Sequence, residues 1–297
     1  MKNKKYSGLF AAMITPFDEK GKVKFDAIPS IVKYMIEVQK LDGLYVTGST
    51  GEFLLISVED RKKIFDIVAK EAKGKITLIA QVGTLNFDEI LDMAHHAKKA
   101  GFDAISAISP YYFGFSFDEI KNYYQSISDN VDIDLFPYYL PQYAGGKMSA
   151  SQFSQILKIK NVVGVKYSAG DPFMFERLIN SDPDKVYFWG SDEVLIYGAV
   201  IGADGYIGST YNANGLGARR ILEAYEARDF VRARELIHEY NDYVEDVVGN
   251  GLMTTLKALL RLDGLDAGIS KHPFAKKDDD ALLKRAREIK SKYLDKK

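Results

Sequence analysis

Residues 77–108 read TLIAQVGTLNFDEILDMAHHAKKAGFDAISAI. Two short apolar runs, Thr77–Gln81 and Ala104–Ile108, enclose a longer amphipathic segment at 88–100. The short runs have the length and composition of strands buried on both faces. The long one carries apolar residues at helical spacing and stops at Gly101, a residue that accepts the left-handed turn at a helix C-terminus. Strand, helix and strand within about 30 residues make one parallel crossover unit.

The same unit recurs in both directions. Upstream, a strand at 8–15 is closed by Pro16 and followed by a helix at 25–40. A strand at 43–47 then leads to a helix from Val58, with Ser57 as N-cap and Asp60 in its first turn. Downstream, helices are expected at 117–127, 149–157, 172–179, 192–201 and 215–227. Strands alternate with them at 133–138, 162–166, 186–190 and 205–209. Eight right-handed units most simply close into a (β/α)8 TIM barrel over residues 1–227. An open doubly wound sheet is the alternative. It needs a topological switch point, and no GxGxxG follows the first strand. Beyond Ala227 the periodicity is only helical, at 229–247, 252–262 and 279–294. Residues 228–297 therefore read as a C-terminal extension of three helices. No Pro- or Ser-rich linker precedes it, so it is expected to pack on the barrel.

Composition narrows the function classes. Of 297 residues, 46% are hydrophobic and 27% charged, which excludes wholesale disorder. Forty basic and 41 acidic side chains give a net charge of −1, which argues against nucleic acid or an anionic membrane as partner. With no cysteine, disulfides, thiolate nucleophiles and Cys-ligated zinc are excluded. The four histidines, His95, His96, His238 and His272, form no HExxH, and no metal site is expected. The basic segment 1–7 and the apolar run after it are too short for a signal peptide. No stretch approaches the ~20 apolar residues of a membrane span. A cytoplasmic protein is expected.

In a barrel the chemistry sits at the C-terminal strand ends. Strand 2 ends in Gly48-Ser49-Thr50-Gly51-Glu52, strand 5 in Tyr138-Tyr139-Leu140-Pro141, and strand 6 in Lys166-Tyr167-Ser168. Strand 7 ends in Gly190-Ser191-Asp192-Glu193 and strand 8 in Gly208-Ser209-Thr210-Tyr211-Asn212. Lys166 closes the apolar run Val162-Val163-Gly164-Val165. A desolvated ammonium has a lowered pKa and can attack a ketone; the competing reading is a lysine that snorkels to solvent. The glycines, hydroxyls and backbone N–H groups of 48–51 suit a carboxylate or phosphate, though an ordinary polar loop would look alike. The glycines and hydroxyls at 205–210 are a further candidate phosphate grip, weakened by the lack of a cation before Arg219. Asp192 and Glu193 are candidates to hold sugar hydroxyls, or simply negative charges at a helix N-terminus.

Taken together, these segments resemble the N-acetylneuraminate lyase and dihydrodipicolinate synthase superfamily of class I aldolases. The resemblance runs from about Lys5 to the last helix. Its carriers are Gly48-Ser49-Thr50-Gly51-Glu52, Tyr138-x-x-Pro141 and Gly164-Val165-Lys166-Tyr167-Ser168. Gly190-x-Asp192-Glu193 and Gly208-Ser209-Thr210-Tyr211-Asn212 place it nearest the sialic acid lyase branch. The synthase branch carries an arginine shortly after Tyr-x-x-Pro, where this chain has Gln142-Tyr143-Ala144-Gly145. Three departures from the family pattern surround the tyrosine: Pro137, Tyr139 and Ala144.

The resemblance implies aldol cleavage of N-acetylneuraminate through a Schiff base on Lys166, with no metal or organic cofactor. It implies Tyr138 as proton relay, with Tyr112 as a weaker member. Ser49 and Thr50 would hold the pyruvyl carboxylate. Gly190, Asp192, Glu193, Ser209 and Ser168 would hold the polyol. Family members are usually homotetramers. Three alternatives stand beside this one: another keto-deoxy sugar acid aldolase, the lysine-pathway synthase, and a silent barrel that binds a sugar acid.

Overall fold

The computed structural model describes residues 4–274 and 279–295. The start of the basic N-terminal segment (1–3) and parts of the C-terminal extension (275–278 and 296–297) lie outside the described residues. Eight strands run β1 Gly8–Ala12, β2 Gly43–Val46, β3 Thr77–Gln81, β4 Ala104–Ile108, β5 Asp134–Tyr139, β6 Gly164–Tyr167, β7 Val186–Trp189 and β8 Gly205–Gly208. They pair in sequence order, all parallel, and β8 returns to β1 to close the barrel.

The helices between them are α1 Ile28–Glu37, α2 Val58–Ala72, α3 Phe87–Ala100, α4 Phe117–Asn130, α5 Ala150–Leu157, α6 Pro172–Ser181, α7 Leu195–Ile201 and α8 Tyr211–Glu226. Then follow α9 Phe230–Gly249, α10 Leu252–Leu262 and α11 Asp279–Ile289, the last running into a π turn at Lys290–Leu294. Local chemistry sets their starts. Ser57, Asn86, Ser116, Ser149 and Asp171 each accept a backbone N–H of the first turn. Gly101 and Gly202 end α3 and α7 in the left-handed conformation. Helix α8 begins at Tyr211, four residues before the expected start, but kinks at Asn214 (φ −138°, ψ 43°). There the Asn214 side chain accepts the Gly217 N–H at 3.1 Å. The helix expected from Gly215 is therefore real, and it carries a capped extra turn in front.

Strand side chains alternate between the barrel interior and the surrounding helices. Small residues sit beside large ones on neighbouring strands: Gly43 leaves room for Phe10, and Gly205 for Phe188. Tyr6, Phe136, Phe188 and Phe10 pack edge to face in succession, with ring centroids 5.1, 5.3 and 4.9 Å apart. This aromatic plug floors the interior.

Strand β6 breaks the alternation just before Lys166. Leu135 pairs with Val162, while four residues on Tyr139 pairs with Tyr167, five residues on. One extra residue in β6 is a β-bulge. Opposite it stands Pro137, which has no N–H to give. The Val163 carbonyl, the regular acceptor at that rung, instead receives the Val186 N–H from β7 at 2.9 Å. Proline and bulge thus match, and no carbonyl is orphaned. The bulge also turns Lys166 into the barrel, since Val162 faces the helices and strict alternation would send residue 166 the same way. Gly164 makes the crossing possible, because a Cβ there would overlap the Val186 carbonyl oxygen.

Gly164→Ala is therefore expected to destabilise the fold by about 1–3 kcal/mol or more, as overpacking does. Denaturant unfolding checks it, and an unchanged midpoint would show that the bulge has slack.

Candidate active site

Lys166 ends inside the barrel mouth, 3% exposed. Its Nζ lies 3.8 Å from the Tyr45 ring centroid and 4.0 Å from that of Tyr138. Two aromatic faces favour a cation, but they do not replace water. Burial lowers the Lys166 pKa to about 7, and the Asp192 carboxylate pulls it the other way. Near neutral pH a large share of this amine is therefore uncharged and nucleophilic.

Tyr138 pairs with Lys166 across β5 and β6. It is buried, and its ring meets that of Tyr45 at 6.0 Å and 77°. Burial raises its phenol pKa, and hydrogen bonding by Ser49 and Ser168 brings it partly back. Those two hydroxyls stabilise a phenolate, which is what a proton relay requires. Ser168 fits because Gly190 lies beside it; a Cβ at Gly190 would overlap the Ser168 hydroxyl. Tyr45 anchors its own hydroxyl by donating to Ser106 Oγ at 3.0 Å.

The loops after β2 and β8 meet over the site. Thr50 Oγ1 and Ser209 Oγ are 2.6 Å apart, while Ser49 is exposed at the mouth. Asp192 follows β7 and is buried. Its carboxylate accepts the Thr210 N–H at 2.8 Å and the Thr210 hydroxyl at 2.6 Å. Since Thr210 gives its proton there, the Tyr240 hydroxyl of α9, 2.8 Å away, is the donor to Thr210 Oγ1. Burial raises the Asp192 pKa to about 6 against the Thr210 hydrogen bonds, which lower it. Gly208 makes room, since a Cβ there would overlap the Asp192 carboxylate. Asp192 is thus held by the β8 loop, a use the helix-dipole alternative did not foresee. Glu193, its neighbour, is exposed.

The fold thus brings Lys166, Tyr138, Ser49, Ser168, Gly190 and Asp192 around one point, and joins Thr50 to Ser209. Tyr112 is placed differently. It has φ +73°, is 88% exposed and packs edge-on against Phe113 at 5.1 Å. The three family departures do not all surround Tyr138. Pro137 and Tyr139 point outward; Tyr139 packs on Phe153 and Tyr167 and accepts the Met148 N–H at 3.0 Å. Ala144 alone joins the inner cluster of Tyr138. Sequence reasoning missed Tyr45, Thr210 and Tyr240. Tyr45 was readable as the inward alternate of Gly43, and Thr210 from its place beside Ser209. Tyr240 gave no signal. Among the described residues, no group of three or more His, Asp or Glu could hold a metal ion.

Known proteins resemble this chain over nearly its whole length. The model of the dihydrodipicolinate synthetase family matches residues 5–292. An N-acetylneuraminate lyase of Clostridium perfringens is 41% identical over 286 residues, covering 96% of this chain and 99% of the relative. A crystal structure of N-acetylneuraminate lyase from Mycoplasma synoviae superposes with a TM-score of 0.95 at 50% identity, covering 98% of this chain and 99% of that one. The Fusobacterium nucleatum N-acetylneuraminate lyase complexed with pyruvate gives 0.93 at 38% identity and 99% coverage of both chains.

Competitive acetylation is expected to titrate Lys166 near pH 7. Asp192→Asn removes the charge that favours the ammonium, so it should lower that value further. A Lys166 that titrates near an ordinary lysine value would show that water reaches it.

Proposed function

Because the chain belongs to the dihydrodipicolinate synthetase family, and matches N-acetylneuraminate lyases over nearly its whole length, we propose that it reversibly cleaves N-acetylneuraminate to N-acetylmannosamine and pyruvate. It is a carbon–carbon lyase. The observation that carries the mechanism is the burial of Lys166 between Tyr45 and Tyr138, with its pKa near neutrality.

Neutral Lys166 Nζ attacks the C2 ketone of the open-chain sugar acid. The Tyr138 phenol gives its proton to the carbinolamine hydroxyl, which leaves as water; a protonated imine and a Tyr138 phenolate remain. Tyr138, as phenolate, takes the proton of the C4 hydroxyl. The C3–C4 bond then breaks, C4 becomes the aldehyde of N-acetylmannosamine, and the electron pair flows into the imine to give an enamine. Protonation at C3 and hydrolysis release pyruvate and regenerate the amine. The imine is itself the electron sink, so this reading calls for no metal or organic cofactor. Ser49 and Thr50 hold the pyruvyl carboxylate; Gly190, Asp192, Glu193, Ser209 and Ser168 hold the polyol. Tyr112 takes no step within one chain, given its exposure.

The synthase alternative lacks its cation. After Pro141 the loop offers Gln142, whose side-chain amide donates to the Ser168 carbonyl at 3.2 Å. An aldehyde carrying a carboxylate would meet Asp192 without a counter-charge. We further place the enzyme in the cytoplasm as a homotetramer, as the resemblance implies. Exposed Tyr112, Phe113 and Tyr143 on the loops after β4 and β5 give an assembly apolar surface to cover. No helix among the described residues is long and apolar enough to cross a membrane.

Incubation with N-acetylneuraminate should yield pyruvate and N-acetylmannosamine, and borohydride with pyruvate should label Lys166. A label on another residue, or none while activity persists, removes the imine from Lys166. Tyr138→Phe should cut turnover by about 10²–10⁴-fold, the range of a positioned acid–base group. Turnover near that of the unmodified enzyme would reduce Tyr138 to packing. Asp192→Ala should harm sugar-acid cleavage more than pyruvate imine formation, because pyruvate lacks the hydroxyl chain. Faster condensation with aspartate semialdehyde than with N-acetylmannosamine would restore the synthase.

A further inference from the structure

Glu52 closes the loop Gly48-Ser49-Thr50-Gly51-Glu52, yet no step of the reaction uses it. Its side chain is 0% exposed and pairs at 2.5 Å with Lys257 of α10, itself 1% exposed. The second carboxylate oxygen accepts the Lys271 N–H at 2.7 Å. Lys257 also donates to the Ile269 carbonyl at 2.8 Å, and its ammonium lies 4.7 Å from the Phe17 ring centroid. A residue of the loop after β2 is thus held by α10 and by the chain that follows α10, and its partner Lys257 lies against the segment after β1.

The loop needs holding. Thr47 and Glu52 flank it with φ of +52° and +60°, left-handed values that non-glycine residues seldom adopt without support. The turn is closed on itself: Glu52 N–H donates to the Ser49 carbonyl at 3.0 Å, and Phe53 N–H to that of Gly48 at 3.4 Å. Gly51 has no spare room, since a Cβ there would sit 3.0 Å from the Met13 carbonyl oxygen. Whatever moves Glu52 therefore moves the backbone of Ser49 and Thr50. A buried carboxylate that lost its cation would move or take up a proton, since an uncompensated buried charge is costly.

We propose that Lys257, reaching in from the C-terminal extension, is a positioning residue for substrate: by holding Glu52 it fixes the Ser49–Thr50 turn in the shape that receives the pyruvyl carboxylate. This rests on the reading of Ser49 and Thr50 as the carboxylate grip. It differs from a merely structural ion pair in what it affects. Loss of the pair should weaken carboxylate binding selectively and leave the imine chemistry of bound pyruvate nearly intact.

The test is borohydride trapping of Lys166 across a range of pyruvate concentrations. Lys257→Met should raise the half-saturating pyruvate concentration about tenfold or more, with the trapping rate at saturation within about twofold of the unmodified enzyme. Lys257→Arg, which restores a cation, should recover most of the affinity. Glu52→Gln keeps the shape of the side chain and should give a smaller rise, and it carries the same test should Lys257→Met fail to fold. A folded variant with unchanged pyruvate saturation overturns the proposal. So does a loss confined to the saturating rate. Thr50→Val and Ser49→Ala separate the two levels of argument. If they leave saturation unchanged, the carboxylate grip itself fails. If they raise it while Lys257→Met does not, only the positioning role fails.

Discussion

The site depends on taking one ammonium out of water. Lys166 sits above the aromatic plug formed by Phe10, Phe136 and Phe188, so no solvent reaches it from below, and Tyr45 and Tyr138 close its sides. A fall from the ordinary lysine value to about 7 corresponds to roughly 5 kcal/mol against the charged form. The barrel bears that cost in its folded state, and it appears as nucleophilicity at neutral pH. The same interior that buries the amine presents it at the mouth, where loops bring polar groups to it.

Placing that amine takes a local irregularity. Strand β6 carries one residue more than β5 over the same stretch, and the extra residue decides which way Lys166 points. Pro137 and Gly164 make the irregularity inexpensive, the one by needing no acceptor and the other by fitting under a carbonyl oxygen. The C-terminal helices then reach the site at two places. Tyr240 of α9 supports Thr210, which holds Asp192; Lys257 of α10 holds Glu52. The extension thus reaches the loops after both β8 and β2, and is more than an outer cover.

The sequence is informative where structure is local. Alternating apolar runs and the Ser57 cap point to the barrel and most helix starts, because a cap and a periodicity are both encoded within a few residues. Lys166 was visible as a polar end to an apolar run. Its direction was not, because a bulge is defined by the register of two strands and leaves no pattern in one. Chain adjacency puts Tyr139 beside Tyr138; in a strand, however, neighbours face opposite sides. Tyr240 and Lys257 are not legible for a related reason. Each acts through a partner 30 or 205 residues away, and no spacing rule links such pairs.

Asp192 shows how the two halves of the site are tied. Its carboxylate favours positive charge on Lys166, which opposes the burial that makes the amine neutral. In the mechanism we propose, the opposition ends once the imine forms. A protonated imine must stay charged to serve as electron sink, and the burial that disfavours the ammonium disfavours this cation as well. Asp192, with its pKa near 6, is largely ionised at neutral pH and compensates that charge. Interactions that stabilise the reacting species more than the resting one are those that accelerate a reaction. On the proposed mechanism the carboxylate is therefore matched to the iminium rather than to the free lysine, and the same group, fixed by Thr210, would accept hydrogen bonds from the polyol that the iminium carries.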